Sequence, residues 1–417
     1  MTTSQELDLL AQFDSPEFQR DPYPFLRRLR DADPIHRTAK GFYLATRHAD
    51  AGFLLAEAGD LFQGPSLAEM TVAMPLIAEH RALSVLMTCV MARNPPEHTR
   101  LRKLVAGQFT PRAVDSLAGR IDLICDRLLD AIDEPLRDGE LVDLHQKLSE
   151  PLPRLVIAEL LGVPASDHEW LITAVRDIAT GLTAATTGGS ADELALADEQ
   201  TIRMEDYFRE LATARRRDPG DDLISGLVRR QQGDPDRLTE DELVNLVWLL
   251  WLAGTDANTV AMDHCVWSMM AFPDRCHWLR GDLRQAASFV DEVLRRTAPV
   301  MFSPLPRPAT REFELDGVTY PAGTDIRPVL PAANRDPAAF PDPDRFDPSR
   351  DTRRMLTFSG GIHHCLGIFL ARTGLATATS LLHKRFPTLV GLAEPRWGGL
   401  AVDSASRSLP VALERKR

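Results

Sequence analysis

No proline interrupts the chain between Thr239 and Pro273, a stretch that reads as one long helix over 239–271. Thr239 and Glu242 form a capping box at its start. At 1.5 Å per residue, about thirty residues reach roughly 45 Å, enough to cross a whole domain. From Leu243 to Leu252 the run is apolar nearly all round, with Asn245 the exception. A helix without a polar face has to run through a protein core. About a dozen apolar residues are too few to span a bilayer, which needs roughly 20. The chain is therefore expected to be a helical protein assembled around one buried helix.

The rest of the sequence agrees. From Glu97 to Glu240 the pattern is helical, with breaks at Thr110-Pro111, Gly162-Val163-Pro164, 187–190 and Asp218-Pro219-Gly220. The Thr/Gly-rich stretch 183–190 reads as a mobile connection or an ordinary surface loop. A second helix is expected over 283–297, and a last one from near Cys365 to Lys384. Short β-like runs flank Lys40-Gly41 and Asp316-Gly317, each reading as a hairpin. Residues 61–95 read as a long loop with partial helix, and 331–350 as irregular. There is no repeat or clear linker, so a single domain, 1–417, mainly α with a small β region, fits best.

The net charge of −12 disfavours nucleic acid or an anionic membrane as a partner. Five cysteines, an odd number without CxxC spacing, argue against a disulfide framework or a zinc site and fit a reducing compartment. Met1 to Asp14 has no basic stretch followed by an apolar run, so neither a signal peptide nor an anchor is expected there. A soluble, cytoplasmic protein is the expectation.

Chemistry concentrates at four places. In Phe358-Ser359-Gly360-Gly361-Ile362-His363-His364-Cys365-Leu366-Gly367, a cysteine sits near a helix start, where the dipole and free N–H groups favour a thiolate. The glycines allow a tight loop, and Gly367 leaves room for a flat group. A lone cysteine is more often a buried apolar residue; this spacing weakens that reading. Glu292 and Arg295, at i and i+3, share a helix face, where a surface ion pair is the bland alternative. His98 and Arg102 also share a face, and Arg307 and His363 add two more cations. Together they suit a ligand with buried carboxylates, which need charge-assisted hydrogen bonds. Finally, Ala253-Gly254-Thr255-Asp256-Ala257-Asn258-Thr259 puts an acid in the middle of the apolar helix, a costly placement that points to a role. Gly254 lowers helix propensity, so a bulge can open there.

These residues resemble the signatures of the cytochrome P-450 family. Phe358, Gly361, Cys365 and Gly367 match F-x-x-G-x-x-x-C-x-G, with Ser359 where a glycine is usual. The resemblance extends from Asp21-Pro22-Tyr23-Pro24 to Ser408-Leu409-Pro410-Val411, with the motifs in the family's order. It implies the family's fold, with haem b between the long helix and the cysteine loop. Cys365 would be the axial thiolate ligand, which favours O–O cleavage. His98, Arg102, Arg307 and His363 would bind the propionates, while Phe109, Ala253, Gly254, Phe358, Gly361 and Gly367 would flank the macrocycle. Glu292 and Arg295 would be a buried structural pair, with a third partner in 334–336 or 341–346. Asp256 matches the acid that helps relay protons, but Ala257 replaces the alcohol that usually follows it. Asn258, Thr255 or Thr259 are the nearby candidates to contribute instead.

The resemblance further implies a monooxygenase that uses O2 and electrons from a ferredoxin or flavodoxin with its reductase. Hydroxylation or epoxidation of a medium-sized, largely apolar organic substrate, in specialised metabolite biosynthesis, is the expected activity. The pocket would be lined by 61–91, 170–205, 249–259 and 299–302, including Met301 and Phe302. An oxidative bond- or ring-forming enzyme remains an alternative, and so does a non-catalytic haem sensor or carrier.

Overall fold

The computed structural model describes residues 8–13, 15–187, 189–234, 237–303, 305–391, 397–398, 405–406 and 408–414. Most of Met1 to Asp14 and Gly188 lie outside this set. The described residues are predominantly helical with a few short strands, the expected balance. They divide into two compact units, each built from separate stretches of chain.

One unit comprises Met1–Gln63, Val114–Pro153 and Asp256–Arg417. One of its sheets pairs Ile35–Arg37 antiparallel with Tyr43–Ala45, which pairs parallel with Ile326–Pro328. The second expected hairpin joins Phe313–Leu315 to Val318–Tyr320. Asp316 and Gly317 make its turn at φ 54° and 72°, as the right-handed strand twist favours. Aromatic and aliphatic side chains from these strands, among them Phe313, Tyr320 and Ile326, form one core cluster with Phe62. The helices Asp256–Ala271, Leu283–Arg296 and Ala118–Arg137 all pack on Ile368–Arg385, the helix that follows the cysteine loop.

The other unit comprises Gly64–Ala113 and Arg154–Thr255. The helix His168–Thr187 lies along Ala191–Arg217, which also packs on Glu240–Ala253 and on Arg81–Thr88. Phe208, Trp248 and Trp251 are fully buried at its centre. The 183–190 stretch is shorter as a break than its composition suggests. Helix continues to Thr187, and Ser190 with Glu193 caps the next one in a capping box. Residues 61–95 hold three short helices, Leu67–Ala73, Leu76–Glu79 and Arg81–Thr88, joined by irregular chain, so the expected loop carries the expected partial helix. Ser66 and Glu69 form a capping box there, a local signal that outweighs the prolines nearby.

The long helix is not continuous. It comprises Glu240–Ala253 and Asp256–Ala271, separated by Gly254 and Thr255. The expected capping box at Thr239 and Glu242 is present. At the break, Thr255 Oγ1 donates to the Leu252 carbonyl at 2.9 Å, satisfying one of the carbonyls the helix end leaves open. Asp256 then opens the second segment, where a carboxylate favours the positive end of the helix dipole. A Cβ at Gly254 would stand 2.8 Å from the Leu250 carbonyl oxygen and 2.9 Å from Ile157 Cγ1, so only glycine passes there.

Candidate functional site

The loop Phe358–Gly367 is shaped by its backbone. The Cys365 N–H donates to the Phe358 carbonyl at 2.8 Å and closes the loop onto itself. Gly361 takes φ 58°, and a Cβ there would meet the Leu55 carbonyl oxygen at 2.2 Å. The C-terminal turn of the helix His48–Ala56 therefore presses on the loop, and glycine is required. Ser359 adopts φ 61° without being glycine, a left-handed conformation that costs a side-chain-bearing residue about 1–2 kcal/mol. The last helix begins at Ile368, three residues later than expected, because Gly367 is its N-cap. Cys365 thus precedes the helix, on the side its N–H groups face.

The five cysteines differ in environment. Cys89, Cys125, Cys265 and Cys276 are buried, and burial pushes their thiols up to about 11, 12, 12 and 11. Such groups stay protonated and make poor ligands. Cys365 alone is half-buried. A Cβ added at Gly367 would meet nothing within 4 Å, so the chain leaves open space two residues from the sulfur. A soft donor next to unfilled space suits a flat, metal-centred group, and these residues fit a haem.

Behind the loop lies a buried polar network. Glu292 and Arg295 are fully buried. Arg295 donates Nε to Glu292 Oε2 at 2.7 Å and Nη2 to Oε1 at 2.8 Å. It also donates to the carbonyls of Asn334 and Pro343, each at 2.8 Å. Glu292 Oε1 accepts from the Asp347 N–H at 3.0 Å and faces Arg350. Both stretches expected to hold the third partner are therefore used, through backbone carbonyls.

Asn334 carries the network to the cysteine loop. Its side chain donates to Thr357 Oγ1 at 2.8 Å and accepts from the Leu356 N–H at 2.7 Å. Thr357 Oγ1 donates back to the Leu294 carbonyl. Thr357 immediately precedes Phe358, so the buried ion pair fixes the start of the loop through three hydrogen bonds. A second pair, Asp291 and Arg372, ties the helix Leu283–Arg296 to the helix after the cysteine. Sequence reading missed Thr357, Asp291 and Arg372, since nothing in their local pattern marks them.

The remaining expected residues fall in both units. In the first, Arg307 is half-buried, its N–H donating to Asp325 Oδ1 at 3.2 Å, and His363 is half-buried in the short turn Gly361–His363. Asp256 and Ala257 are half-buried at the start of their helix segment. Met301 and Phe302 are buried in a core cluster with Leu26, Leu29 and Leu44, and Phe302 faces the rings of Phe13 and Phe42. In the second unit, His98 is buried and Arg102 half-buried on the helix Glu97–Val105. Phe109 is buried in the next turn. Ala253 is exposed and Gly254 half-buried at the helix break. Thr255 spends its hydroxyl on the Leu252 carbonyl, so it is not a ready substitute for an alcohol at 257.

Residues 190–391 match the family model for Cytochrome P450. The sequence is 40% identical to cytochrome P450 BJ-3 of Bradyrhizobium diazoefficiens, over 99% of this chain and 98% of that protein. It is 35% identical to the cytochrome P450 monooxygenase PikC of Streptomyces venezuelae, over 96% of this chain and 93% of that protein. A solved myxobacterial cytochrome P450 in complex with myristic acid matches with a TM-score of 0.85 at 31% identity, covering 98% of this chain and 100% of that one.

Proposed function

The chain belongs to the cytochrome P450 family, whose members are haem b monooxygenases, and from that premise we propose the following assignment of roles and substrate. The substrate is a medium-sized, largely apolar organic molecule of specialised metabolism, hydroxylated or epoxidised in the cytoplasm. O2 is the oxidant, and a ferredoxin or flavodoxin with its reductase supplies two electrons. The specialised-metabolism element is supported by relatives such as the polyketide biosynthesis cytochrome P450 PksS of Bacillus subtilis, 30% identical. No helix among the described residues is long and apolar enough to cross a membrane.

When bound, the haem supplies oxygen activation and accepts the electrons. Cys365 would hold its iron as a thiolate. His98, Arg102, Arg307 and His363 would hold the propionates through charge-assisted hydrogen bonds. Phe109, Ala253, Gly254, Phe358, Gly361 and Gly367 would flank the macrocycle. Asp256 would move protons, and Ala257 brings no hydroxyl to that relay. The observation that carries the reading is the half-buried Cys365, held by the Phe358 carbonyl beside the open space at Gly367.

The test is product formation from O2 with a ferredoxin system, beside the CO-difference spectrum of the reduced protein. Cys365→Ser is expected to lose both the thiolate-type band and turnover; a variant that keeps both refutes the assignment. Ala257 also favours a second reading, an oxidative bond- or ring-forming enzyme that needs less efficient oxygen insertion. Ala257→Thr is expected to lower peroxide released per product, by up to about a hundredfold, the low end of what one proton-transfer group contributes. Unchanged leakage with an increased yield of coupled product favours the second reading.

A further inference from the structure

Two turns before the break, the helix Glu240–Ala253 carries a single amide, Asn245, in the apolar run from Leu243 to Ala253. Asn245 Nδ2 donates to Thr88 Oγ1 at 3.2 Å. Thr88 Oγ1 in turn donates to the Val85 carbonyl at 3.0 Å. This relay fixes the rotation of the amide and turns Oδ1 away from Thr88. Oδ1 is buried and accepts no hydrogen bond from any described residue. Thr88 spends its one hydroxyl proton on the Val85 carbonyl, so it can accept from the amide but not donate to it, and the NH2 group is the end that faces it.

A buried acceptor left unmet lowers stability, and leucine would continue the apolar run without that penalty. Residues that break a local rule in this way are expected where a ligand completes them. The face on which Asn245 lies points to the ligand. Asn245, Leu249, Leu252 and Ala253 follow the i, i+4, i+7, i+8 spacing of one helix face. Leu252 is half-buried and Ala253 exposed, so protein side chains do not fill this face towards the break. Eight residues separate Asn245 from Ala253, about 12 Å along the axis.

We propose that Asn245 Oδ1 anchors a hydrogen-bond donor, a hydroxyl or N–H, on an otherwise apolar substrate, about 12 Å from the part that reaches Ala253. Thr88 is the positioning residue that aims the amide. The inference rests on the monooxygenase reading and narrows its substrate class to molecules that carry a donor at the end remote from the oxidised carbon.

The experiment uses the haem-loaded protein and two probes that differ by one hydroxyl, 5α-androstan-17-one and its 3β-hydroxy derivative. Affinities are measured by calorimetry and, separately, by the Soret shift. The hydroxylated probe is expected to bind about tenfold more tightly, the ratio one net hydrogen bond supplies. Asn245→Leu should bring the ratio near one by weakening that probe alone, and should raise the melting temperature. Thr88→Val, a milder change, should lower the ratio part of the way. Equal wild-type affinity for both probes, binding of neither, or a preference that survives Asn245→Leu overturns the inference. A lower melting temperature in Asn245→Leu with the preference intact identifies a merely structural amide and overturns it too. Absence of the thiolate-type CO band would instead sink the monooxygenase reading, while the calorimetric ratio still decides the role of Asn245.

Discussion

The cysteine loop and the long helix both carry polar groups into the interior, and they hold them in opposite ways. At the loop, a permanent cation, Arg295, meets a carboxylate and two carbonyls, and Asn334 passes the constraint on through side-chain and backbone bonds. Along the helix, polar groups meet separate local partners: Asn245 meets Thr88, Thr255 the Leu252 carbonyl, and Asp263 the His145 ring. The loop is overdetermined, which suits a scaffold that has to hold a ligand at a fixed height. The helix is interrupted at Gly254 and Thr255.

The largest expected effect tests the overdetermined side. Arg295→Leu leaves the Glu292 carboxylate buried without its counter-charge, which costs about 3–5 kcal/mol. The loop start loses its anchor as well, so haem retention should fall with the melting temperature. The double variant Arg295→Leu/Glu292→Leu should recover part of the stability and none of the haem retention. If the single variant melts within a degree of wild type, the contrast between the two regions is broken.

A smaller effect tests the helix side, where the tie is titratable. His145 Nδ1 lies 2.8 Å from Oδ2 of Asp263, which is fully buried on the helix Asp256–Ala271. Burial works to lower the His145 pKa, but the Asp263 hydrogen bond and charge, helped by Glu150 and Asp143, raise it above its ordinary value. Burial raises Asp263, with His145 only partly offsetting it. Both shifts make the folded protein bind more protons than the unfolded chain. The stability contributed by His145 is therefore complete below about pH 6.5 and lost as pH rises through its folded value. His145→Asn/Asp263→Asn should flatten the urea midpoint between pH 6 and 8. His145→Phe alone should cost about 2 kcal/mol at pH 6, a hydrogen bond to a charged group. A wild-type midpoint that rises over this range would reverse the sign argued here.

Much of the overdetermined side was legible in the sequence. The spacing of Phe358, Gly361, Cys365 and Gly367 and the Glu292–Arg295 pair are local patterns, and the structure gives each a physical reason. The links between them were not, because Asn334 to Thr357 and Asp291 to Arg372 are contacts between distant stretches whose polar residues look ordinary alone. The same holds for His145 and Asp263. The long helix was legible as an apolar run with an opening expected at Gly254, and the close approach of Ile157 to Gly254 was not. The Ser66–Glu69 capping box, in contrast, was readable and would have placed the helix Leu67–Ala73.

The smallest effect concerns the one place where the loop departs from its family's pattern. Ser359 holds φ 61°, which costs a residue with a Cβ about 1–2 kcal/mol relative to glycine. Ser359→Gly removes that strain but widens the unfolded ensemble, a loss of about 0.4–1 kcal/mol. The difference favours glycine by about 0.5 kcal/mol. The melting temperature should rise by a degree or two, since a chain of this length moves little per kcal/mol. Ser359→Ala keeps the strained backbone without the entropic change and should gain nothing. If Ser359→Gly melts below wild type while Ser359→Ala matches it, backbone freedom at this turn outweighs its strain. The loop would then owe its shape to the buried network behind Thr357 rather than to its own glycines.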